Sequence, residues 1–176
     1  MQQGNSYSDC RSGTVEPYWV ALQVKTNHEY TTEDHLLARN CEPYLPLYRE
    51  RRQWSDRTKH VQAPLFPGYL FCRYSAERRV AILSIAGVIR ILGYDRYPTP
   101  VSENEITAIQ RVTTSGLTCT PSPYLQIGDP VRIQVGSLAG LDGLLTGEKK
   151  NGGRFVVSVA LLQRSVQVEI DPAWVA

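Results

Sequence analysis

The hydrophobic positions in the first part of the chain alternate between strand-like and helix-like spacing. The apolar run at 19–24 predicts a buried strand, and Thr31, with acidic residues close behind it, predicts the start of a helix. The face that this helix should bury consists of Asp34, Leu37, Ala38 and Cys41. Further strands are predicted at 44–48, 64–74 and 88–92, a second helix at 76–85, and a polar hairpin loop at 53–60.

A third helix is predicted to end this part of the chain. Ser102 and Glu105 have the spacing of a capping box, and Ile106, Ile109 and Val112 then follow on one helical face. The order is therefore β-α-β-β-α-β with a trailing helix. This order predicts an α+β domain in which helices flank an antiparallel sheet.

The pattern changes after a segment with the composition of a linker. Segments 131–135, 154–159 and 166–170 alternate with period two, and turn sequences such as Asp142-Gly143 and Asn151-Gly152 separate them. Short strands with tight turns predict a small, closed, SH3-like β-barrel. The predicted organisation is a disordered tail at 1–16, the α+β domain at 17–113, a linker at 114–124 and the barrel at 125–176.

Charge and cysteine content restrict the class of protein. The chain has 19 Lys and Arg against 17 Asp and Glu, whereas a free-standing nucleic-acid-binding protein usually has a strong basic excess. No apolar run approaches the ~18 residues that cross a bilayer, and 1–16 lacks the build of a signal peptide. With four widely spaced cysteines, we expect a cytoplasmic location, Cys41 and Cys72 as core residues, and no metal or other cofactor.

The sequence contains no recognisable catalytic motif. His28, His35 and His60 lack the spacing of metal ligands, and nucleophile, paired-carboxylate and phosphate-loop motifs are absent. We therefore expect a binding protein rather than an enzyme.

Two segments are candidate binding sites. The aromatic segment 64–71 would have two apolar strand faces, with Phe66 and Leu70 on one and Leu65, Tyr69 and Phe71 on the other. Helices could cover both faces, or part of this surface could bind an apolar partner. The segment 49–60 has five Lys and Arg residues, one Trp and two acidic residues. This segment either contacts nucleic acid or is a solvated hairpin tip.

These segments also resemble a known family. Segments 19–24, 64–71, 86–88 and 98–106 resemble the amino-terminal (NGN) domain of NusG-like transcription factors, and 131–133 and 136–143 resemble the KOW motif of their carboxy-terminal barrel. The resemblance extends from residue 19 to residue 175. Segments 45–52 and 161–166 look closest to the specialised paralogues of the RfaH and UpxY type.

The resemblance implies a transcription elongation and antitermination factor. It would bind the clamp helices of the largest RNA polymerase subunit through a surface pocket that includes Leu65, Phe66, Pro67, Tyr69 and Phe71. The residues expected to contact non-template DNA in the elongation complex are Arg49, Arg51, Arg52, Trp54, Arg57 and Lys59. A small-subunit ribosomal protein or Rho would bind the barrel at Leu161, Leu162 and Arg164.

Some alternatives remain open. A ribosome- or RNA-associated KOW-domain protein is the second candidate, although a protein that binds only RNA has no need of an apolar surface. RfaH-type factors can also store the carboxy-terminal domain as two helices. The β-branched alternation at 155–159 and 166–170 favours a barrel at rest, whereas 159–164 contains good helix formers. We expect a monomer that does not associate with membranes.

Overall fold

The computed structural model of the chain describes residues 16–53, 58–94, 97–123, 128–146 and 154–174. The helices and strands up to residue 114 are, in chain order, β1 (Tyr18–Val24), α1 (Glu29–Leu37), β2 (Pro43–Tyr44), β3 (Leu47–Gln53), β4 (Thr58–Pro64), β5 (Tyr69–Tyr74), α2 (Arg79–Leu83), β6 (Val88–Ile91), β7 (Gly93–Tyr94), β8 (Tyr97–Pro98) and α3 (Glu103–Thr114). No helix in these ranges has both the length and the apolar composition to cross a membrane.

A four-stranded sheet with the order β2-β5-β1-β6 is the centre of the first domain. One face, which includes Leu22 and Cys72, packs against Leu36 of α1 and Ile82 of α2. The other face, which includes Phe71, belongs to a second apolar cluster shared with α3. The expected α+β domain is confirmed, as is the placement of Cys41 and Cys72 in its core.

The predicted start and buried face of α1 are wrong. The helix begins at Glu29 rather than Thr31, and its buried residues are Glu29, Thr32 and Leu36. Leu37, which was expected to be buried, is 55% exposed. Two of the three buried residues are polar, so apolar periodicity could not reveal the inward face. Their burial depends on distant backbone, because Gly87 lacks a Cβ that would collide with the Thr32 hydroxyl.

The predicted strand at 64–74 is divided by a turn. Strand β4 ends at Pro64 and β5 begins at Tyr69, while Gly68 between them has a φ of +81°. Phe66 therefore leaves the strand alternation and joins the cluster that contains Phe71, whereas Leu70 joins the opposite one. The prediction that Phe66 and Leu70 share a face is wrong for this reason.

The hairpin of β3 and β4 is longer than expected. The two strands pair in register from Leu47 opposite Pro64 to Gln53 opposite Thr58. Most of the predicted loop at 53–60 that the structure describes is thus strand, and 54–57 lies outside the described residues. The predicted strand at 44–48 is divided between β2 and β3.

The second part of the chain forms a five-stranded antiparallel sheet. Its strands are β9 (Cys119–Pro123), β10 (Asp129–Arg132), β11 (Asp142–Thr146), β12 (Arg154–Val159) and β13 (Arg164–Glu169), in the order β10-β11-β12-β13-β9. The backbone N–H of Gln134, just after β10, donates to the carbonyl of Trp174, 2.8 Å away and beyond β13. The first and last parts of the sheet therefore meet, which confirms the small barrel.

Two segments of the barrel differ from expectation. Asp142-Gly143, predicted as a turn, begins β11, and Gly143 is needed there because a Cβ would lie 2.5 Å from the ring of Phe155. Segment 159–164, which contains good helix formers, has only the 3₁₀ turn Ala160–Leu162 between β12 and β13. That turn ends at Gln163, whose φ is +50°.

Part of the predicted linker has strand structure. Cys119–Pro123 forms β9 and pairs with β13 along its length, from Cys119 opposite Val168 to Pro123 opposite Arg164. Its two prolines had suggested a linker, but prolines are tolerated on an edge strand. The boundaries of the two domains at 113 and 125 stay a prediction.

Candidate functional site

Four aromatic rings form a connected group, here called the aromatic cluster, beside the turn at 65–68. The ring of Phe66 meets that of Phe71 edge-on at 6.1 Å between centroids, and the Phe71 ring stacks on Tyr44 at 6.2 Å. Trp19 in turn meets Tyr44 at 6.4 Å. Such pairs stabilise their arrangement beyond simple burial. The cluster is therefore a preformed apolar surface that joins three strands and the turn.

Polar contacts with α3 hold the edge of the aromatic cluster. The guanidinium of Arg73 lies 4.7 Å above the Trp19 ring and pairs with Glu103 at 2.8 Å, while Trp19 Nε1 donates to the same carboxylate at 3.2 Å. The Tyr44 and Thr113 hydroxyls are 3.3 Å apart. Burial raises the pKa of Tyr44 to about 12, partly offset by the Thr113 hydrogen bond. The phenol is consequently neutral at physiological pH.

A buried carboxylate fixes the turn that carries Phe66. Glu29 is 3% exposed, and its Oε1 accepts a hydrogen bond from the backbone N–H of Gly68 at 2.8 Å. The Gly68 carbonyl accepts from the N–H of Val24 at 2.9 Å, which ties the same turn to β1. Sequence analysis missed Glu29, because only the tertiary fold brings this helix start to a turn 39 residues away.

The expected polymerase-binding residues lie together but do not line an open pocket. Leu65, Phe66 and Phe71 are at most 2% exposed, Tyr69 is half-buried, and only Pro67 is exposed. The prediction of a surface pocket is wrong for this arrangement, because the second domain packs over the same face. A cavity of about 170 Å³ remains there, lined by Leu65, Phe66, Pro67, Pro121, Ser122, Pro123, Arg164 and Ser165.

The candidate nucleic-acid residues are carried by the β3–β4 hairpin. Arg49 and Lys59 are exposed, and the strand register places Arg52 directly opposite Lys59. The hairpin base is held by the Tyr30 hydroxyl, which donates to the carbonyl of Gln62 at 3.1 Å. Trp54 and Arg57 lie outside the described residues, and of Arg51 and Arg52 only the backbone is described.

The candidate partner residues of the barrel lie close to the α+β domain. Leu162 is buried and Leu161 is packed against the same apolar cluster that contains Phe66, while Arg164 is exposed. The side chains expected to bind a second partner are thus largely covered in this structure.

The described residues contain no cluster of three or more His, Cys, Asp or Glu side chains that could hold a metal ion. Burial raises the pKa of the Cys72 thiol to about 12 and also raises that of Cys119. Since the thiolate is the reactive form of cysteine, both residues are suited to packing rather than to nucleophilic chemistry.

Comparison with known proteins identifies the family. The profile of the family described as transcription termination factor NusG matches residues 17–110. The chain belongs to the NusG family. The transcription termination/antitermination protein NusG of Helicobacter pylori strain 26695 is 25% identical over 164 residues, which cover 86% of this chain and 93% of that protein. The NusG of Thermus thermophilus is 30% identical over 123 residues, 63% of this chain and 66% of that protein.

The NusG fold also extends across both domains. A solved structure concerned with domain interaction in Thermotoga maritima NusG has a TM-score of 0.56 and 18% identity, and covers 93% of this chain and 98% of that one. The expected resemblance is confirmed: the chain is a NusG-like transcription factor, and its family is one of transcription factors rather than enzymes.

Proposed function

We propose that the protein is a transcription elongation and antitermination factor that binds the clamp helices of RNA polymerase through the aromatic cluster and its turn. The observation that carries the proposal is the grouping of Leu65, Phe66, Tyr69 and Phe71 in one apolar face of a chain from the NusG family. A few buried aromatic residues can supply most of the affinity of a protein interface, at ~2 kcal/mol or more each.

The turn geometry supports this role. Glu29 and the pairing with β1 fix the backbone at 65–68, so little conformational entropy would be lost there on binding. Pro67, at the tip of the turn, is exposed and provides a first point of contact. Polymerase binding in this form would raise processivity by keeping the factor on the elongation complex.

The β3–β4 hairpin is proposed to contact the non-template DNA strand. Arg52 and Lys59 are opposite each other in the register, and like charges in this position repel unless an anion lies near them. The net charge of +2 gives the free chain little general affinity for nucleic acid. Binding to polymerase would raise the local concentration of DNA at the hairpin and make this modest basic surface sufficient.

The barrel is proposed to bind a second protein, a small-subunit ribosomal protein or Rho, through Leu161, Leu162 and Arg164. The likeness of 45–52 and 161–166 to RfaH- and UpxY-type factors supports a specialised paralogue that serves long operons. The exposed Arg164 at the start of β13 is the accessible part of this surface.

Co-purification of the full-length chain with core RNA polymerase tests the main proposal. Tyr69→Ala should reduce the bound fraction about tenfold, because it removes a half-buried ring from the proposed surface. The matched control is Tyr94→Ala, since Tyr94 is 87% exposed on β7 and distant in sequence from the turn. Equal binding by a folded Tyr69→Ala protein would refute the assignment.

DNA binding by the free chain separates this proposal from a ribosome- or RNA-associated role. We expect weak binding to random DNA at physiological salt, with clear contact to the non-template strand only in the elongation complex. Tight and salt-sensitive binding of the isolated protein to random nucleic acid would favour the alternative.

A further inference from the structure

The barrel is attached to α3 by polar contacts near both ends of the helix. Arg111 Nη2 donates to the carbonyl of Ala139 at 2.6 Å and to that of Ser137 at 3.2 Å, in the segment between β10 and β11. Near the start of the helix, the Glu105 carboxylate accepts from the N–H of Ala160 at 3.3 Å. Two separate loops of the barrel are therefore held by one helix of the other domain.

Apolar contact is continuous between these polar ends. One buried cluster contains Phe66 and Phe71 beside the sheet, Ile109 of α3, and Leu162 and Val166 of the barrel. If the domains were only loosely associated, each would bury its own separate core. Because the cluster is shared, moving the barrel away would expose part of the aromatic surface to water.

Strand β9 lies between the barrel and the aromatic cluster. It pairs with β13, including Ser122 opposite Ser165, and the same strand lines the cavity at Leu65 and Phe66. Its first residue, Cys119, is buried and close enough to Tyr44 to contribute to the raised pKa of that phenol. β9 thus covers the aromatic cluster while it extends the barrel sheet.

The connection between the domains keeps the barrel close to this surface. Only residues 115–118 separate the end of α3 from the start of β9, a tether of four residues. A short tether gives an effective concentration on the order of millimolar. An interface of modest strength is therefore sufficient to keep the barrel docked, and an external partner has to compete with it.

We propose that the folded barrel is a built-in cover for the aromatic surface, held by α3 and β9 and displaced as an intact domain when polymerase binds. This inference rests on the proposed function, because the cover has a regulatory effect only if the covered surface binds polymerase. The barrel strands already exist in the covered state, so release requires movement at 115–118 and no refolding.

The cover also acts in the opposite direction. Leu161 and Leu162 pack against the shared cluster, so the docked barrel hides its own candidate partner surface. Coupling between two binding sites is reciprocal. Polymerase bound to the aromatic cluster would therefore increase the affinity of the barrel for its partner by the same factor that the partner increases polymerase binding.

Lengthening the tether tests the cover while leaving every contact intact. About twenty Gly and Ser residues would be inserted after Gly116, which is exposed and surrounded by open space. Effective concentration falls with about the −3/2 power of tether length, so the affinity of the full-length chain for core RNA polymerase should rise by up to about fifteenfold. Unchanged or lower affinity overturns the proposal.

Arg111→Ala provides an independent variant. It removes two charge-assisted hydrogen bonds and should also raise polymerase affinity, by on the order of tenfold. The matched control is Arg132→Ala on β10, because Arg132 is an exposed residue of the barrel that pairs within it, to Asp142 at 3.8 Å. This control should bind like the unaltered chain.

The outcomes separate the two proposals. If the unaltered chain, the insertion variant and Arg111→Ala all fail to bind polymerase, the proposed function is wrong and the cover is overturned with it. If the unaltered chain binds and the two variants bind no more tightly, only the cover is wrong. Far-UV circular dichroism should be the same for all of them, and a change in helical content would contradict release without refolding.

Discussion

Replacement of Glu29 tests how the fold positions the candidate binding turn. Its buried carboxylate is the hydrogen-bond acceptor for the Gly68 N–H at 2.8 Å. Glu29→Ala leaves this buried donor without its partner, and losing a hydrogen bond to a charged group costs about 1.5–3 kcal/mol. We therefore expect the free energy of unfolding to fall by about 2–3 kcal/mol.

Glu29→Gln is the matched control, because its amide oxygen can accept the same hydrogen bond in nearly the same volume. It should cost about 1 kcal/mol or less. Urea unfolding monitored by circular dichroism measures both changes, and hydrogen exchange at the Gly68 amide reports on the turn itself. If Ala and Gln cost the same, or if Ala costs less than about 0.5 kcal/mol, the carboxylate does not hold the turn.

Two further predictions concern stability. The pKa values of Cys72 and Tyr44 are each raised to about 12 in the folded chain from reference values of 9.0 and 10.0, so the folded state keeps protons that the unfolded state releases. Stability should therefore decrease as pH rises from about 9 to about 12, and Tyr44→Phe should reduce the loss above about pH 10 in alkaline urea titrations; an unaltered slope would contradict this. Gly87→Ala should destabilise by about 3 kcal/mol or more, since φ is +111° and a Cβ would collide with Thr32, whereas Gly116→Ala, with φ +76° in open space, should cost about 1–2 kcal/mol in the same assay; equal costs would refute the collision.

Local pattern was sufficient where one domain face decides which residues are buried. The alternation in β12 and β13 predicted two strands, because β-branched residues point inward at Val157, Val159 and Val166. The apolar face of α3 was likewise predicted from Ile106, Ile109 and Val112. Its predicted capping box is only half present: the Ser102 hydroxyl accepts from the N–H of Asn104, while the Glu105 carboxylate bonds to the barrel.

Long-range contacts explain what the sequence could not predict. The burial of Glu29 and Thr32 depends on Gly68 and Gly87, which are far away along the chain. Strand β9 has a linker-like composition, and only the free edge of β13 makes it a strand. The covered state of Phe66 also depends on the docking of a second domain, which no local pattern near residue 66 encodes.

Transcription by purified RNA polymerase on a template with defined pause sites tests the central claim most directly. The full-length protein should shorten the time that polymerase spends at the pauses, and Tyr69→Ala should largely lose this effect while Tyr94→Ala retains it. A folded wild-type chain that leaves pausing unchanged would contradict the account, as would a Tyr69→Ala protein that is as active as the Tyr94→Ala control.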